Sequence, residues 1–375
     1  MKNLQTAAPA LPHRESKREN RGYDLVVFCH LRWDFVYQRP QHIISRLSND
    51  MKILFVEEPI GFSPEEEHSA KLTEISETLH ILQPKVRNIE AIGAMLSDFL
   101  DSEKISVGWF YSAAFSPVID ALEFGTIVYD CMDELSLFKG APQALIDQEK
   151  FLIGRADVVF TGGKSLYDSK KSLHQNVFCF PSSVDQPHFA QALNGILVPE
   201  DIASIAHPIV GYFGVIDERI DLELIAKTAS ENQNVSFVMI GPIAKIDENE
   251  LPKARNIQYL GIKSYSELPN YLKAFDIAMM PFALNDATKF ISPTKTLEYM
   301  AAGKPIVSTR IADVVRDYSE VVELIESEAD FTSAIARIRL SADAKNPSDY
   351  SKILEKTSWD ATVSAMKIHL KQLAS

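Results

Sequence analysis

The sequence predicts an α/β protein built as two Rossmann-like, doubly wound domains that face each other across a cleft. Three observations lead there. Short apolar, β-branched runs alternate with longer amphipathic stretches, which is the pattern of a parallel sheet covered by helices. The series occurs twice, with a lapse between the two. The chain has 375 residues, enough to bury two cores of ordinary size.

Taken in order, residues 1–22 place basic side chains after a short apolar patch and lack a signal-peptide core, so they read as a flexible leader on a cytoplasmic protein. Residues 23–190 form the first domain, with strands expected at Asp24–His30, Lys52–Glu57, Ile105–Tyr111, Thr126–Asp130, Asp157–Phe160 and Val177–Phe180. Each run is apolar on both faces, as buried parallel strands are. The pattern fails over 191–207, which includes Pro199 and reads as a linker. Residues 208–355 form the second domain, with strands expected at Ile209–Phe213, Val235–Ile240, Asn256–Leu260, Ile277–Met280, Pro305–Ser308 and Val321–Ile325. In the tail, 356–375, Trp359, Val363, Met366, Ile368 and Leu370 recur at helical spacing and predict a docking helix.

Composition narrows the function. Hydrophobic residues are 46% of the chain and charged residues 24%, with a mean hydropathy of −0.06, which fits neither a disordered nor a membrane-embedded protein. The 51 acidic residues outnumber the 38 basic ones, giving a formal charge of −13 that opposes nucleic acid as a partner. Any phosphate must therefore be gripped locally. Cys29, Cys131 and Cys179 lie in apolar stretches without paired spacing, so they read as reduced core thiols. No apolar run approaches the roughly 18 residues of a membrane span.

The richest segment is Asp276–Thr309, which reads as strand, loop, capped helix, turn and strand. Ser292 suits an N-cap, Pro293 the first helical position, and Gly303 with Pro305 the stop, which predicts a helix of about three turns. Free backbone N–H groups at Thr294, Lys295 and Thr296 would then face a phosphate, with Lys295 adding a full charge. Glu298 could accept both hydrogen bonds of a ribose diol. The same residues also fit a plain structural helix on which Lys295 and Glu298 make a weak surface pair.

This stretch resembles the donor-nucleotide segment of retaining GT-B glycosyltransferases, specifically glycosyltransferase family 4. The residues that carry the resemblance are Pro293, Lys295, Glu298, Tyr299, Met300, Ala301, Gly303, Lys304 and Pro305. Arg32–His42 resembles a bacterial branch of that family that includes teichuronic-acid-type transferases, and Ser182–Phe189 is similar to its interdomain stretch. The resemblance implies a GT-B architecture in which the helix around Trp359 crosses back to the first domain. It further implies transfer of a sugar from a nucleotide diphosphate sugar to a hydroxyl of a glycan or lipid-linked glycan, with retention and with no cofactor or metal. Two positions depart from the family. Phe290 stands where a second glutamate is often found, with Asn285 as a substitute donor-binding group. Val215 follows Gly214 where arginine is common, which leaves Arg219 as the nearest guanidinium, unless it belongs to a solvated Asp217-Glu218-Arg219 turn. On this basis Arg219, Lys295 and Glu298 are the expected catalytic group, and Gly214, Asn285 and Ser292–Thr296 join Lys295 and Glu298 around the donor. Lipid-linked acceptors of similar enzymes leave peripheral attachment at the inner membrane face open.

The acceptor side is expected on the first domain. The loop after its first strand gathers His30, Trp33, Arg39 and His42, which together offer the aromatic faces and hydrogen-bonding groups that a sugar ring requires. Local packing of Trp33 and an ion pair for Arg39 are the alternative. Asp130 and Asp133 follow another strand and could contact a sugar or serve structure, while their D-x-x-D spacing argues against a metal. The TGGKS run, Thr161–Ser165, is too short for a Walker loop. Gly211–Val215 lacks the dinucleotide fingerprint, and no G-x-S-x-G occurs. A nucleotide-sugar epimerase or hydrolase of the same fold, and a non-catalytic sugar-nucleotide or glycan binder, remain the competing functions.

Overall fold

The computed structural model describes residues 22–63, 65–102, 104–137, 140–340 and 348–373. Residues 1–21 of the expected leader lie outside them. In the first domain the strands are β1 (Leu25–Cys29), β2 (Ile53–Glu57), β3 (Ser69–Ser76), β4 (Leu79–Lys85), β5 (Lys104–Phe110), β6 (Glu123–Cys131), β7 (Val158–Thr161) and β8 (Val177–Cys179). They form one sheet in the order β3-β4-β2-β1-β5-β6-β7-β8, in which β3 alone runs antiparallel to its neighbour. β1 shows why the sheet is buried on both sides. Val26 and Phe28 enter one core, while Leu25, Val27 and Cys29 enter another on the opposite face.

The β3–β4 pair is absent from the sequence expectation. Ser69–Ser76 alternates only weakly and is mostly exposed, because it is an edge strand with one face in water. β4 is apolar and mostly buried but contains Pro84, which argues against a strand when the sequence is read alone.

The second domain contains β9 (Ile209–Phe213), β10 (Ser236–Ile240), β11 (Ile257–Tyr259), β12 (Ile277–Met280), β13 (Ile306–Thr309) and β14 (Glu323–Ile325). Their order, β11-β10-β9-β12-β13-β14, is fully parallel and reverses direction between β9 and β12. Such a reversal opens a crevice at the carboxyl ends of the strands, where α/β sheets bind ligands.

The tail helix Trp359–Leu373 lies against the first domain. Trp359, Val363, Met366 and Leu370 complete the core under Arg39–Leu47, whereas Ile368 is exposed. Cys29 and Cys131 are buried and Cys179 half-buried, all as free thiols. Among the described residues, no helix is long and apolar enough to cross a membrane.

Candidate functional site

The carboxyl ends of the two sheets enclose a cleft that is partly open to solvent and lined by both domains. On the second domain its wall begins at Gly214, just past β9. This residue holds φ +138, a conformation that favours glycine, and a Cβ there would stand 2.3 Å from Lys295 Cε. The missing side chain is thus the space through which Lys295 passes. The lysine ammonium lies 5.7 Å from the centroid of the Tyr212 ring.

Lys295 opens the helix Lys295–Ala301, and Glu298 follows one turn later. The helix has seven residues, about two turns rather than the expected three. Ser292 does not cap it. Thr294 is already in the helical region, with φ −55 and ψ −33, so the capping position has moved two residues along, and the Ser292 carbonyl instead accepts a bond from Ser182 Oγ at 3.1 Å. The stop is the expected one: Gly303 takes φ +64 and donates to Met300 O while Lys304 donates to Tyr299 O, both at 2.9 Å.

Ser292, Pro293, Thr294, Lys295 and Glu298 all line the cleft. Thr296 does not. It is fully buried with its hydroxyl on Met280 Sδ, and its N–H is taken by the Pro293 carbonyl at 3.2 Å, so its expected role at the donor is withdrawn. Neither Lys295 nor Glu298 has an ion-pair or hydrogen-bond partner for its charged group among the described residues. Burial raises the Glu298 carboxyl to about 7 against the pull of Lys295. Burial also lowers the Lys295 ammonium, and the nearby Arg219 adds to this. Both charges are poorly solvated and unspent.

Arg219 reaches the same wall, but it is already held. Its guanidinium donates from Nε and Nη2 to the buried Asp217 carboxylate at 2.7–3.1 Å. Burial works against its charge, yet Asp217 holds its pKa above the usual arginine value. The turn is therefore not the solvated one: Asp217 is 4% exposed behind the wall, and Arg219, held by it, lines the cleft. Asn285 lies outside the lining. It caps the short helical turn Asp286–Thr288, accepting from Thr288 N at 3.2 Å and donating to Glu218 O at 3.1 Å. Its amide is consumed by the loop, which corrects its placement at the donor.

The first domain contributes Asp133, Arg39 and His42 to the lining. Asp133 projects from the loop after β6; burial raises its carboxyl, opposed by Arg219 on the facing domain. Its carboxylate has no hydrogen-bond partner among the described residues, although its carbonyl accepts from Cys131 Sγ. Arg39 is satisfied by Asp130 at 2.8–3.3 Å and by Phe180 O at 2.7 Å, so Asp130 sits behind the cleft as the counter-ion of a buried pair and not as a sugar contact. His42 stacks on Trp359 with centroids 4.8 Å apart, its Nε2 is buried without a partner, and burial keeps it neutral.

His30 and Trp33 fall outside the lining. Trp33 packs edge-on against Phe55 at 5.1 Å and donates its backbone N–H to Glu57, because the loop turns back over β2. His30 is half-buried, and burial, with Lys245 nearby, lowers it to about 4. Tyr265 and Gly162 are among the lining residues that were not foreseen. Tyr265, beyond β11, stacks between Tyr37 and His188 at 4.5 and 4.2 Å. Gly162 belongs to the TGGKS run, set aside for lacking Walker spacing. Their only sequence signal is position, just past the end of a strand. Among the described residues, no three His, Cys, Asp or Glu side chains are placed to hold a metal ion.

Comparison with known proteins bears on the domain that carries this wall. Residues 207–340 match the family model described as glycosyl transferases group 1. The second domain is a group 1 glycosyl transferase domain. A curated relative from Bacillus subtilis (strain 168), "Putative teichuronic acid biosynthesis glycosyltransferase TuaH", is 23% identical over 250 residues, covering 61% of this chain. The match spans 62% of that relative's length. Among solved structures, sucrose-phosphate synthase from Thermosynechococcus elongatus aligns over 94% of this chain and 99% of its own, with a TM-score of 0.68 and 13% identity. Anabaena Alr3699/HepE, in complex with UDP and glucose, aligns over 93% of this chain and 99% of its own, with a TM-score of 0.67 and 11% identity. The described residues therefore have the GT-B fold. Lys295, Glu298, Arg219 and Gly214 all lie within the group 1 domain.

Proposed function

We propose that the protein is a glycosyltransferase that moves a sugar from a nucleotide diphosphate sugar to a hydroxyl of a glycan or lipid-linked glycan, with retention of anomeric configuration and without a metal. The observation that carries this reading is the unpaired Lys295 and Glu298 beside Arg219 on the cleft wall of the group 1 domain. A half-buried ammonium and guanidinium suit a diphosphate, and an acceptor-only carboxylate one helical turn away suits the adjoining ribose diol. The relatives named above, one involved in teichuronic acid synthesis and one holding UDP and glucose, support the same substrate class.

As the glycosidic bond breaks, negative charge collects on the departing diphosphate. Lys295 and Arg219 stabilise it there from positions fixed in advance, Lys295 through the gap at Gly214 and Arg219 through Asp217. A donor phosphate oxygen then takes the proton of the incoming hydroxyl on the same face, so no protein nucleophile is required. Asp133, on the opposite wall, is the carboxylate placed to orient sugar hydroxyls. A bound donor would touch both domains.

The test is a thermal-shift series with UDP, GDP and ADP and their sugars, followed by turnover with glycan and lipid-linked acceptors. Selective stabilisation by one diphosphate, with transfer that requires the acceptor, supports the proposal. An epimer or free sugar formed from donor alone would replace it with epimerisation or hydrolysis. Donor binding without turnover over the acceptor panel would make the protein a sugar-nucleotide binder.

A further inference from the structure

The TGGKS run has a partner that lies in the other domain. It leads from β7 into the helix Lys164–Lys170, whose N-cap, Gly163, offers no side chain to the first-turn amides. That need is met from the second domain. Asp313, 2% exposed in the first turn of the helix Ala312–Tyr318, accepts Lys164 N on Oδ2 and Ser165 N on Oδ1, each at 3.0 Å, and the Ser165 hydroxyl as well. Lys164 also pairs with Asp317, and Arg316 with Asp168, so charges of opposite sign surround the contact.

Gly163 shows how closely the domains meet. Its φ is −163, an extended conformation open to any residue, so local backbone does not call for glycine. A Cβ would nevertheless stand 2.7 Å from Asp313 Oδ2 and 2.7 Å from Ser292 Cβ, and all of its nearest neighbours belong to the second domain. Ser292 heads the cleft-lining segment that leads into Lys295, and its carbonyl is bonded by Ser182 of the first domain.

We propose that Asp313, Ser165 and Gly163 form an interdomain clasp that holds the cleft closed and sets the position of the Ser292–Lys295 segment relative to the first domain. When the domains part, the two amides, the hydroxyl and the carboxylate all return to water, and the helix Lys164–Lys170 loses its cap. When they meet, one carboxylate satisfies three donors in a buried place. Asp313 and Ser165 are positioning residues, and Gly163 is the clearance that lets them meet. The inference concerns the protein without substrate, and it stands or falls independently of which nucleotide binds.

Spin labels at Lys150→Cys and Lys227→Cys, exposed positions in the two domains, measure the interdomain distance by pulsed electron resonance in a Cys179→Ser background. The unmodified clasp gives one short distance in the absence of ligand. Asp313→Asn, Ser165→Ala and Gly163→Ala each lower the closed-to-open ratio about tenfold, as loss of a charge-assisted bond predicts. Ser165→Ala combined with Asp313→Asn opens the cleft by less than the sum of the two single changes, since the bond between the Ser165 hydroxyl and the Asp313 carboxylate is counted in both. Circular dichroism and unfolding midpoints confirm that each domain is intact, and Gly163→Ala, which meets nothing in its own domain, guards against a folding artefact. Identical distances in all variants, an open distribution before any change, additive effects in the double variant, or opening by Gly163→Ala when neither Asp313→Asn nor Ser165→Ala opens the cleft would each overturn the clasp.

Discussion

Two pairs of residues on opposite walls of the cleft use charge in opposite ways. On the first domain, Arg39 and Asp130 are buried at 4% and 0% exposure and spend their hydrogen-bonding capacity on each other and on Phe180 O. On the second, Glu298 is 6% exposed and Lys295 half-buried, yet they carry no bonded counter-ion among the described residues. Burying a charge costs several kcal/mol unless a partner offsets it. Two groups that bear this cost unbonded are prepared for a ligand, and two that close on each other behind the surface are prepared for folding. The comparison teaches that proximity to the cleft is a poor guide to function, whereas the state of each group's partners is a good one.

The largest effect should come from breaking the paired wall. Arg39→Ala or Asp130→Ala leaves its partner charged, buried and alone, at a cost of about 3–5 kcal/mol in urea-unfolding experiments. The Arg39→Met/Asp130→Leu double variant should recover most of that loss, because neither charge is then stranded. If the single variants unfold like the wild type, the two walls are not different in kind.

Glu298 sharpens the contrast through pH. Its carboxyl titrates near 7 in the folded protein and near 4.5 when free. Between these values the unfolded chain has already lost the proton that the folded chain retains, so this group's contribution to stability is full below about pH 4.5 and declines until about pH 7. Glu298→Gln has no proton to lose. It should match the wild type at pH 4.5 and exceed it by about 3 kcal/mol above pH 7, measured as the difference in unfolding free energy at each pH. A difference independent of pH would mean that Glu298 is solvated or paired.

Lys295→Ala comes next. Loss of one charge-assisted contact to a diphosphate should weaken binding of the preferred nucleotide about thirtyfold, roughly 2 kcal/mol by calorimetry, while the unfolding midpoint stays level or rises. The same titration on Arg39→Lys should show little change in affinity. Comparable losses in both would erase the distinction between the walls.

How much of this was legible in the sequence follows from the same physics. Twelve strands could be placed because each is apolar on both faces, a signal that needs no knowledge of neighbours. β3 was hidden because an edge strand faces water, and β4 because Pro84 reads as a break. Lys295 and Glu298 were legible through their place after Ser292-Pro293 and through the resemblance that segment carries. Asn285, Thr296, Trp33 and Asp130 were misplaced for one shared reason. Sequence shows which groups a side chain possesses and not which partner claims them, and those partners, Glu218, Pro293, Glu57 and Arg39, stand between 3 and 91 residues away. The shift of the cap from Ser292 to Thr294 is of the same kind, since the first domain's Ser182 claims the Ser292 carbonyl.

The smallest effect belongs to Asn285, and it tests that explanation directly. If its amide serves only the loop, Asn285→Ala removes the acceptor for Thr288 N and the donor to Glu218 O, a loss of about 1 kcal/mol in unfolding free energy, comparable to other caps. Nucleotide affinity should remain within about twofold of wild type, because the residue is outside the cleft lining and the turn Asp286–Thr288 retains the bond from Thr288 Oγ1 to Ala283 O. Asn285→Asp keeps the acceptor for Thr288 and should restore most of the stability. A drop in donor affinity with unchanged stability would return Asn285 to the donor and would show that a satisfied amide can be released to a ligand.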